Sequence, residues 1–133
     1  GIVVGALRSD YQKTRIERLS AELEVSVHTP LWHHDGQRHM TDIISHGFEV
    51  MMVSVSSDGL DSSWLGEVLD HDSLEELISL SEQHRFHPDG EGGEFETLVL
   101  SGPHMSGKIL IDGEARWDGA RGTWHIKSGS MSY

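Results

Sequence analysis

A short acidic, glycine-rich segment is the part of the sequence whose residue types and spacing best suit a binding or catalytic site. Residues 90–97 read Gly-Glu-Gly-Gly-Glu-Phe-Glu-Thr and lead directly into an apolar run. Glycine permits positive φ and close backbone approach, so a turn here can present its amides to an anion. If Phe95 faces the core, strand alternation places Glu94 and Glu96 together on the opposite face. Paired carboxylates can bind Mg²⁺, orient an ammonium group or accept a proton.

The same segment also fits a less specific interpretation. Acidic side chains are usually solvated, and glycines are common in turns. Spacing alone therefore leaves open a glycine-rich turn that carries two solvated acids.

A second candidate group lies near the start of the chain. Gly5 and Ala6 follow an apolar run, and Tyr11 and Gln12 open a predicted helix. Ser9 and Gln12 have the spacing of a cap in which the Ser9 hydroxyl accepts from the Gln12 amide. Ligands of open α/β sheets lie beyond the carboxyl ends of strands, and helix N-termini attract anions there. The alternative is an ordinary helix start, with Tyr11 in packing contacts.

Several other kinds of site are excluded or disfavoured. The chain has no cysteine, which excludes disulfides, thiolate nucleophiles and zinc sites built on cysteine. His33, His34 and His39 form no HExxH pair, so they are interpreted as surface residues and no metal site is predicted. The sequence contains no GxSxG elbow, Walker A loop or Rossmann GxGxxG motif.

The first 55 residues alternate strand, helix, strand, helix, strand. The expected strands are 2–4, 25–28 and 48–55, and the expected helices begin at Ser9 and near Met40. This order predicts a parallel sheet with covering helices. The continuous apolar run at 2–4 predicts a strand that is buried on both faces. The first helix is expected to carry an apolar stripe formed by Ile16, Leu19 and Leu23.

The second half predicts a different architecture. A helix is expected from Asp72, with an apolar stripe formed by Leu74, Leu77 and Ile78. Short strands are expected at 95–100, 108–111 and 123–127. Asp112-Gly113 predicts a tight turn, and residues 118–122 predict a second one. The fold class is therefore α/β: a partial parallel sheet with helices, followed by a small, mainly antiparallel β unit. The predicted domains are residues 1–56 and 57–133.

Charge and composition narrow the class of protein. Acidic residues outnumber basic ones by 22 to 10, and the formal charge of -12 disfavours a nucleic-acid surface. No apolar run approaches the roughly 18 residues of a membrane helix, and no signal peptide is visible, so a cytoplasmic location is expected. Gly1 begins inside a predicted strand, which favours a part of a longer protein.

Four segments together resemble the diphthine–ammonia ligase family. They are residues 5–13, 29–32, 63–66 and 90–100, of which Ser-Asp-Tyr-Gln and Gly-Glu-Gly-Gly-Glu-Phe-Glu-Thr are the specific parts. Their order and spacing look like the carboxyl-terminal half of these HUP-like proteins, which are also described as N-type ATP pyrophosphatases. The resemblance extends over about residues 1–112.

The resemblance implies an activity and a set of functional residues. ATP, with Mg²⁺, would adenylate the carboxylate of diphthine on elongation factor 2, and ammonia would then displace AMP. The sequence leaves the oligomeric state open, and a homo-oligomer is one of the alternatives. It implies catalytic roles for Glu94 and Glu96, a substrate side formed by Tyr11, Gln12, Glu91, Gly92 and Gly93, and a nucleotide near Gly5 and Ala6.

One departure from the family pattern limits this reading. The family carries an SGGxDS phosphate-binding loop, and no such loop occurs in these 133 residues. The chain is therefore expected to be the substrate-side part of the enzyme and to be inactive in isolation. The alternatives are a non-catalytic binding module of the same fold, or a ligase that amidates a different carboxylate.

Overall fold

The computed structural model describes all 133 residues, which pack as two compact units, residues 1–36 and 37–133. The predicted α/β class is confirmed, because a parallel pair of strands with a helix precedes a four-stranded antiparallel sheet. None of its helices is both long enough and apolar enough to span a membrane. The domain boundary after residue 56 stays a prediction.

The first unit is a small β-α-β arrangement. Strand β1 (Ile2–Val3) pairs in parallel with β2 (Val27–His28), and helix α1 (Asp10–Glu22) connects them. The predicted cap of α1 is confirmed, because the Gln12 amide donates to the Ser9 hydroxyl at 3.3 Å. The helix therefore begins where the sequence indicated.

One burial prediction for this unit is wrong. The Val3 residue is 74% exposed, because β1 is only two residues long and pairs with β2 alone. Leu19 and Leu23 of the α1 stripe are also exposed, and Ser20 is the buried residue of that helix. Apolar periodicity identified the elements correctly but overstated how much of them this unit covers.

The second unit contains the larger sheet and the core. Its elements are α2 (Gly36–Ser45), β3 (Glu49–Val55), a 3₁₀ turn (Ser62–Trp64), α3 (His71–His84), β4 (Phe95–Ser101), β5 (Lys108–Asp118) and β6 (Arg121–Ser132). The strands lie in the order β4-β3-β6-β5, and every neighbouring pair is antiparallel. The central strands β3 and β6 therefore have a neighbour on each side.

The core is built where α3 covers the sheet. Met52 and Val55 of β3 and Leu77 of α3 are fully buried. Helix α3 starts with a reciprocal cap, in which the amides of Ser73 and Asp70 each donate to the other's side chain at 2.8 Å. The helix thus begins one residue before the predicted Asp72, and its predicted apolar stripe does face the core.

The prediction that the strand at 48–55 belongs to the parallel sheet is wrong. Val55 of β3 lies opposite Phe95 of β4 and Gly122 of β6, both in antiparallel pairs. A continuous apolar run indicates that a strand is buried on both faces, but it carries no information about the direction of its partners. The strand belongs to the second unit and leaves β1 and β2 as a pair.

The predicted tight turn at Asp112-Gly113 is also wrong, whereas the second predicted turn is confirmed. Asp112 and Gly113 lie inside β5 at a shift in the register with β6, and the hairpin closes where Asp118 pairs with Arg121. Glycine is needed at 113 for space. A Cβ there would lie 2.6 Å from the His125 carbonyl oxygen and 2.6 Å from Trp124 Nε1.

This close approach makes Gly113→Ala a destabilising substitution. We expect a loss of about 1–3 kcal/mol in the free energy of unfolding, the usual range for overpacking a site that cannot relax. Gly129→Ala is the matched control on β6, because a Cβ there meets its nearest atom, the Leu110 carbonyl oxygen, only at 3.7 Å. Urea denaturation of the two variants tests this, and equal stability would contradict it.

Candidate functional site

The glycine-rich segment lies between α3 and β4, where the chain must reverse direction. Helix α3 ends at His84, the capping residue Arg85 adopts a left-handed φ of 60°, and Phe86 then returns to the core. The loop that follows extends to Glu94, and β4 begins at the buried Phe95. Phe95 thus faces the core, as the sequence interpretation required.

Two successive turns shape this loop. The Gly90 amide donates to the His87 carbonyl at 3.0 Å, and the Gly93 amide donates to the Gly90 carbonyl at 2.9 Å. Gly90 and Gly93 have φ values of 69° and 83°, in the left-handed region that favours glycine. A Cβ on Gly90 would also lie 2.9 Å from the Phe95 carbonyl oxygen. The glycines are therefore required by conformation and by space.

Ser56, which directly follows β3, anchors the end of the turn. Its amide donates to the Glu94 carbonyl at 2.8 Å, and its hydroxyl donates to the Gly93 carbonyl at 2.9 Å. These bonds extend the sheet pairing by one residue beyond Val55 and Phe95. The backbone that carries Glu94 is therefore held by the strand next to it.

The Glu94 side chain turns back onto the loop and is largely buried. One of its oxygens, Oε1, lies 3.0 Å from the donating His87 amide and 2.8 Å from His87 Nδ1. The Glu94 side chain is only 14% exposed, and its second oxygen, Oε2, is shielded from solvent with no hydrogen-bond donor from the protein. Glu94 therefore has one oxygen bound by His87 and one buried oxygen without a protein donor.

The ionised form of Glu94 is the favoured one. Burial by itself raises the pKa of this carboxyl group, but the hydrogen bonds from the His87 amide and ring, together with the charge of His87, outweigh it. The pKa of Glu94 consequently lies below its ordinary value. A carboxylate of this kind is suited to holding a positive charge and is a weak proton acceptor.

Glu96 occupies a different environment. Its side chain is 61% exposed, and its Oε1 accepts from Arg121 Nη2 at 3.1 Å. Arg121 also donates from Nε to the hydroxyl of the buried Ser54 at 3.0 Å. The Glu96–Arg121–Ser54 chain therefore links β4, β6 and β3, and each of the two carboxylates has its own basic partner.

The remaining predicted residues of this loop surround Glu94. The Glu91 amide donates to Asp89 Oδ1 at 3.2 Å. Gly92 and Gly93 are exposed, and a Cβ on Gly92 would lie 2.5 Å from Glu94 Oε1. Gly92 thus leaves the space that the Glu94 carboxylate occupies.

The other predicted site residues belong to the first unit. Gly5 is exposed with open space around it, and Ala6 is buried. Tyr11 is 73% exposed, and its hydroxyl accepts from Arg15 Nη1 at 3.2 Å. An open groove of about 700 Å³ runs along α1 beside Tyr11. Gln12 is exposed in the first turn of the same helix.

No group of three or more histidine, aspartate and glutamate side chains is arranged to hold a metal ion. Mg²⁺ is usually held by one or two carboxylates together with substrate phosphates, so the expected Mg²⁺ stays a prediction. The sequence interpretation also missed four residues that shape the loop: Ser54, Ser56, His87 and Arg121. Ser54 and Ser56 had a usable signal, since they flank Val55 at the end of a predicted strand. His87 and Arg121 are brought in by tertiary packing.

Comparison with known proteins connects this geometry to a family. Residues 35–131 match the family described as diphthamide synthase C-terminal domain. Two relatives named diphthine–ammonia ligase are each 38% identical to this chain, one from Danio rerio over 113 residues and one from Homo sapiens over 114 residues. Each alignment covers 84% of this chain. A third with this name, from Schizosaccharomyces pombe, is 33% identical over 110 residues, or 83% of the chain.

The match extends over only part of each relative. It spans 44% of the Danio rerio protein, 42% of the human protein and 18% of the Schizosaccharomyces pombe protein. The resemblance inferred from the four motifs is confirmed, and the matched region contains the whole loop from His87 to Glu94. The chain belongs to the diphthamide synthase C-terminal domain family.

Proposed function

We propose that this chain forms the substrate side of an ATP-dependent ligase that amidates diphthine on elongation factor 2. In the proposed reaction the diphthine carboxylate attacks the α-phosphate of ATP, giving an acyl adenylate and pyrophosphate. Ammonium in the site first releases one proton to solvent. The resulting ammonia attacks the acyl carbon, AMP leaves with the electron pair of the broken C–O bond, and the nitrogen releases a second proton to solvent. The protein's contribution is alignment and charge stabilisation.

Family membership and the names of the relatives support this proposal. The chain spans less than half the length of those relatives, so the proposal assigns the ATP phosphates to a part of the ligase that these 133 residues do not contain.

The observation that carries the proposal is the state of Glu94. It is a largely buried carboxylate with a lowered pKa, one oxygen bound to His87 and the other without a protein donor. A buried carboxylate oxygen is stabilised by an N–H donor. Ammonium has such donors, whereas the quaternary trimethylammonium of diphthine has none. The ionised carboxylate of Glu94 is therefore assigned to hold the nitrogen of ammonium.

The other predicted residues take supporting roles in this proposal. Glu96 contributes negative charge at the exposed end of the site and holds Arg121. Glu91, Gly92 and Gly93 form the loop wall. Tyr11 and Gln12 are assigned to the substrate and Gly5 and Ala6 to the nucleotide side, as the family resemblance implies.

Replacing Glu94 with glutamine tests the central assignment. The variant keeps the shape of the side chain but removes its charge, so we expect kcat/KM for ammonium to fall by about 10²-fold or more, the usual effect of losing one preorganised electrostatic group. The assay uses a chimaera in which this chain replaces the matching segment of the human relative. Glu75→Gln, at an exposed position on α3, is the matched control. Unchanged amidation by Glu94→Gln in a folded chimaera would refute the assignment.

Glu96→Gln separates a chemical role from a structural one. Exposed ion pairs contribute little, so we expect the free energy of unfolding to change by less than about 1 kcal/mol. If the negative charge of Glu96 acts on the substrate, amidation by the chimaera should nevertheless fall by about tenfold, or about 1.4 kcal/mol in transition-state stabilisation. If Glu96→Gln is less stable but keeps full activity per folded molecule, Glu96 has a structural role and its charge does not act on the substrate.

A further inference from the structure

His87 lies outside the glycine-rich motif but makes the most direct contacts with its central acid. Its backbone amide and its ring Nδ1 both approach the same oxygen of Glu94, at 3.0 Å and 2.8 Å. The His87 side chain is 53% exposed, whereas that of Glu94 is 14% exposed. The imidazole therefore stands between the acid and solvent.

We propose that His87 is a positioning residue for Glu94: it fixes one carboxylate oxygen with two donors and so reserves the other for the cationic nitrogen of a substrate. This inference rests on the function proposed above, because it assigns His87 a role in the same site. His87 itself touches no reacting atom in this arrangement.

Three neighbouring residues, Ser56, His87 and Gly92, support the assignment. The terminal torsion of a glutamate side chain is broad, so an unrestrained carboxylate exchanges its two oxygens easily. Here Ser56 holds the Glu94 carbonyl at 2.8 Å, and His87 holds Oε1 from two directions. The missing Cβ of Gly92 leaves the space for that oxygen, 2.5 Å from where the Cβ would lie. Ser56 thus holds the backbone of Glu94, His87 holds its Oε1, and Gly92 leaves the space that this oxygen fills.

The chemistry of the pair fits a positioning role. A hydrogen bond between an imidazole N–H and a carboxylate is charge-assisted and stronger than a neutral one. It is directed at Oε1 alone, since Oε2 has no hydrogen-bond donor from the protein. The carboxylate therefore keeps one defined oxygen, the buried Oε2, without a protein donor.

Substitutions at His87 distinguish positioning from simple loop closure. The side-chain nitrogen of asparagine can take the place of Nδ1, whereas the longer glutamine places its nitrogen nearer to the position of Nε2. His87→Asn is therefore the conservative variant, and His87→Gln and His87→Ala remove the ring donor to Oε1. The backbone donor remains in all three.

The first measurement is an NMR titration of the Glu94 side-chain carboxyl carbon in this chain. Loss of the ring donor should raise the pKa of Glu94 in His87→Ala and His87→Gln, because burial continues to favour the neutral acid. His87→Asn should restore the titration towards that of the unsubstituted chain. Should His87→Ala fail to fold, His87→Gln, which keeps more of the side-chain volume, gives the same comparison.

The second measurement is steady-state amidation by the chimaera with the human relative. We expect the KM for ammonium to rise about tenfold in His87→Ala, the effect of losing one charge-assisted hydrogen bond, with the KM for ATP unchanged. His87→Asn should recover most of the loss. A rise confined to the KM for the diphthine-bearing protein would overturn the proposal, because the trimethylammonium of diphthine has no N–H donor for Oε2.

The outcomes separate the two proposals. If His87→Ala and His87→Gln leave both the Glu94 titration and the substrate KM values unchanged while Glu94→Gln abolishes amidation, the positioning role is overturned and the proposed function stands. If Glu94→Gln amidates normally although the His87 variants shift the Glu94 titration, the proposed function is overturned, and His87 orders a carboxylate that the reaction does not use.

Discussion

The end of strand β3 is the constraint on which the candidate site depends. Val55 is fully buried and pairs with strands on both sides, so its backbone cannot move without disturbing the core. The residues that flank it, Ser54 and Ser56, are therefore fixed as well. Ser56 holds the carbonyls of the glycine turn, and Ser54 receives the guanidinium that binds Glu96. One buried valine thus indirectly places both acids of the motif.

The two acids differ in electrostatics although they stand two residues apart. Burial raises the pKa of Glu94 and the hydrogen bonds from His87 lower it below its ordinary value, whereas Glu96 forms an ion pair with Arg121 at the surface. Interactions in the first environment are strengthened by the lower local dielectric, and those in the second are weakened by solvent. The motif therefore combines one strongly and one weakly acting carboxylate.

Local patterns predicted the elements more reliably than their partners. The helix cap at Ser9, the apolar stripe of α3 and the inward direction of Phe95 all follow from spacing within a few residues, and each is confirmed. The direction in which β3 pairs depends on residues about 40 and 70 positions away, which no local pattern contains. The tight turn at Asp112-Gly113 was wrongly predicted for a related reason, because glycine beside aspartate is typical of a turn. The true cause of this glycine, the Trp124 ring, lies on another strand.

The candidate site was likewise only partly readable from the sequence. The acidic glycine segment was recognisable by its composition, and its family resemblance added a chemical role. His87 and Arg121, which set the state of the two acids, are charged residues without a motif of their own. Their significance arises from a loop that folds back on itself and from a hairpin that returns to β3.

The glycines of the loop have an evolutionary consequence. Gly90 is fixed by its φ and by the carbonyl of Phe95, and Gly93 is fixed by its φ. Selection for folding alone would therefore preserve much of this motif in a descendant that had lost its chemistry. The acids are under a different pressure, since burying Glu94 without a ligand is unfavourable for folding. In such a lineage the carboxylate at position 94 should drift first, and the glycines should outlast it.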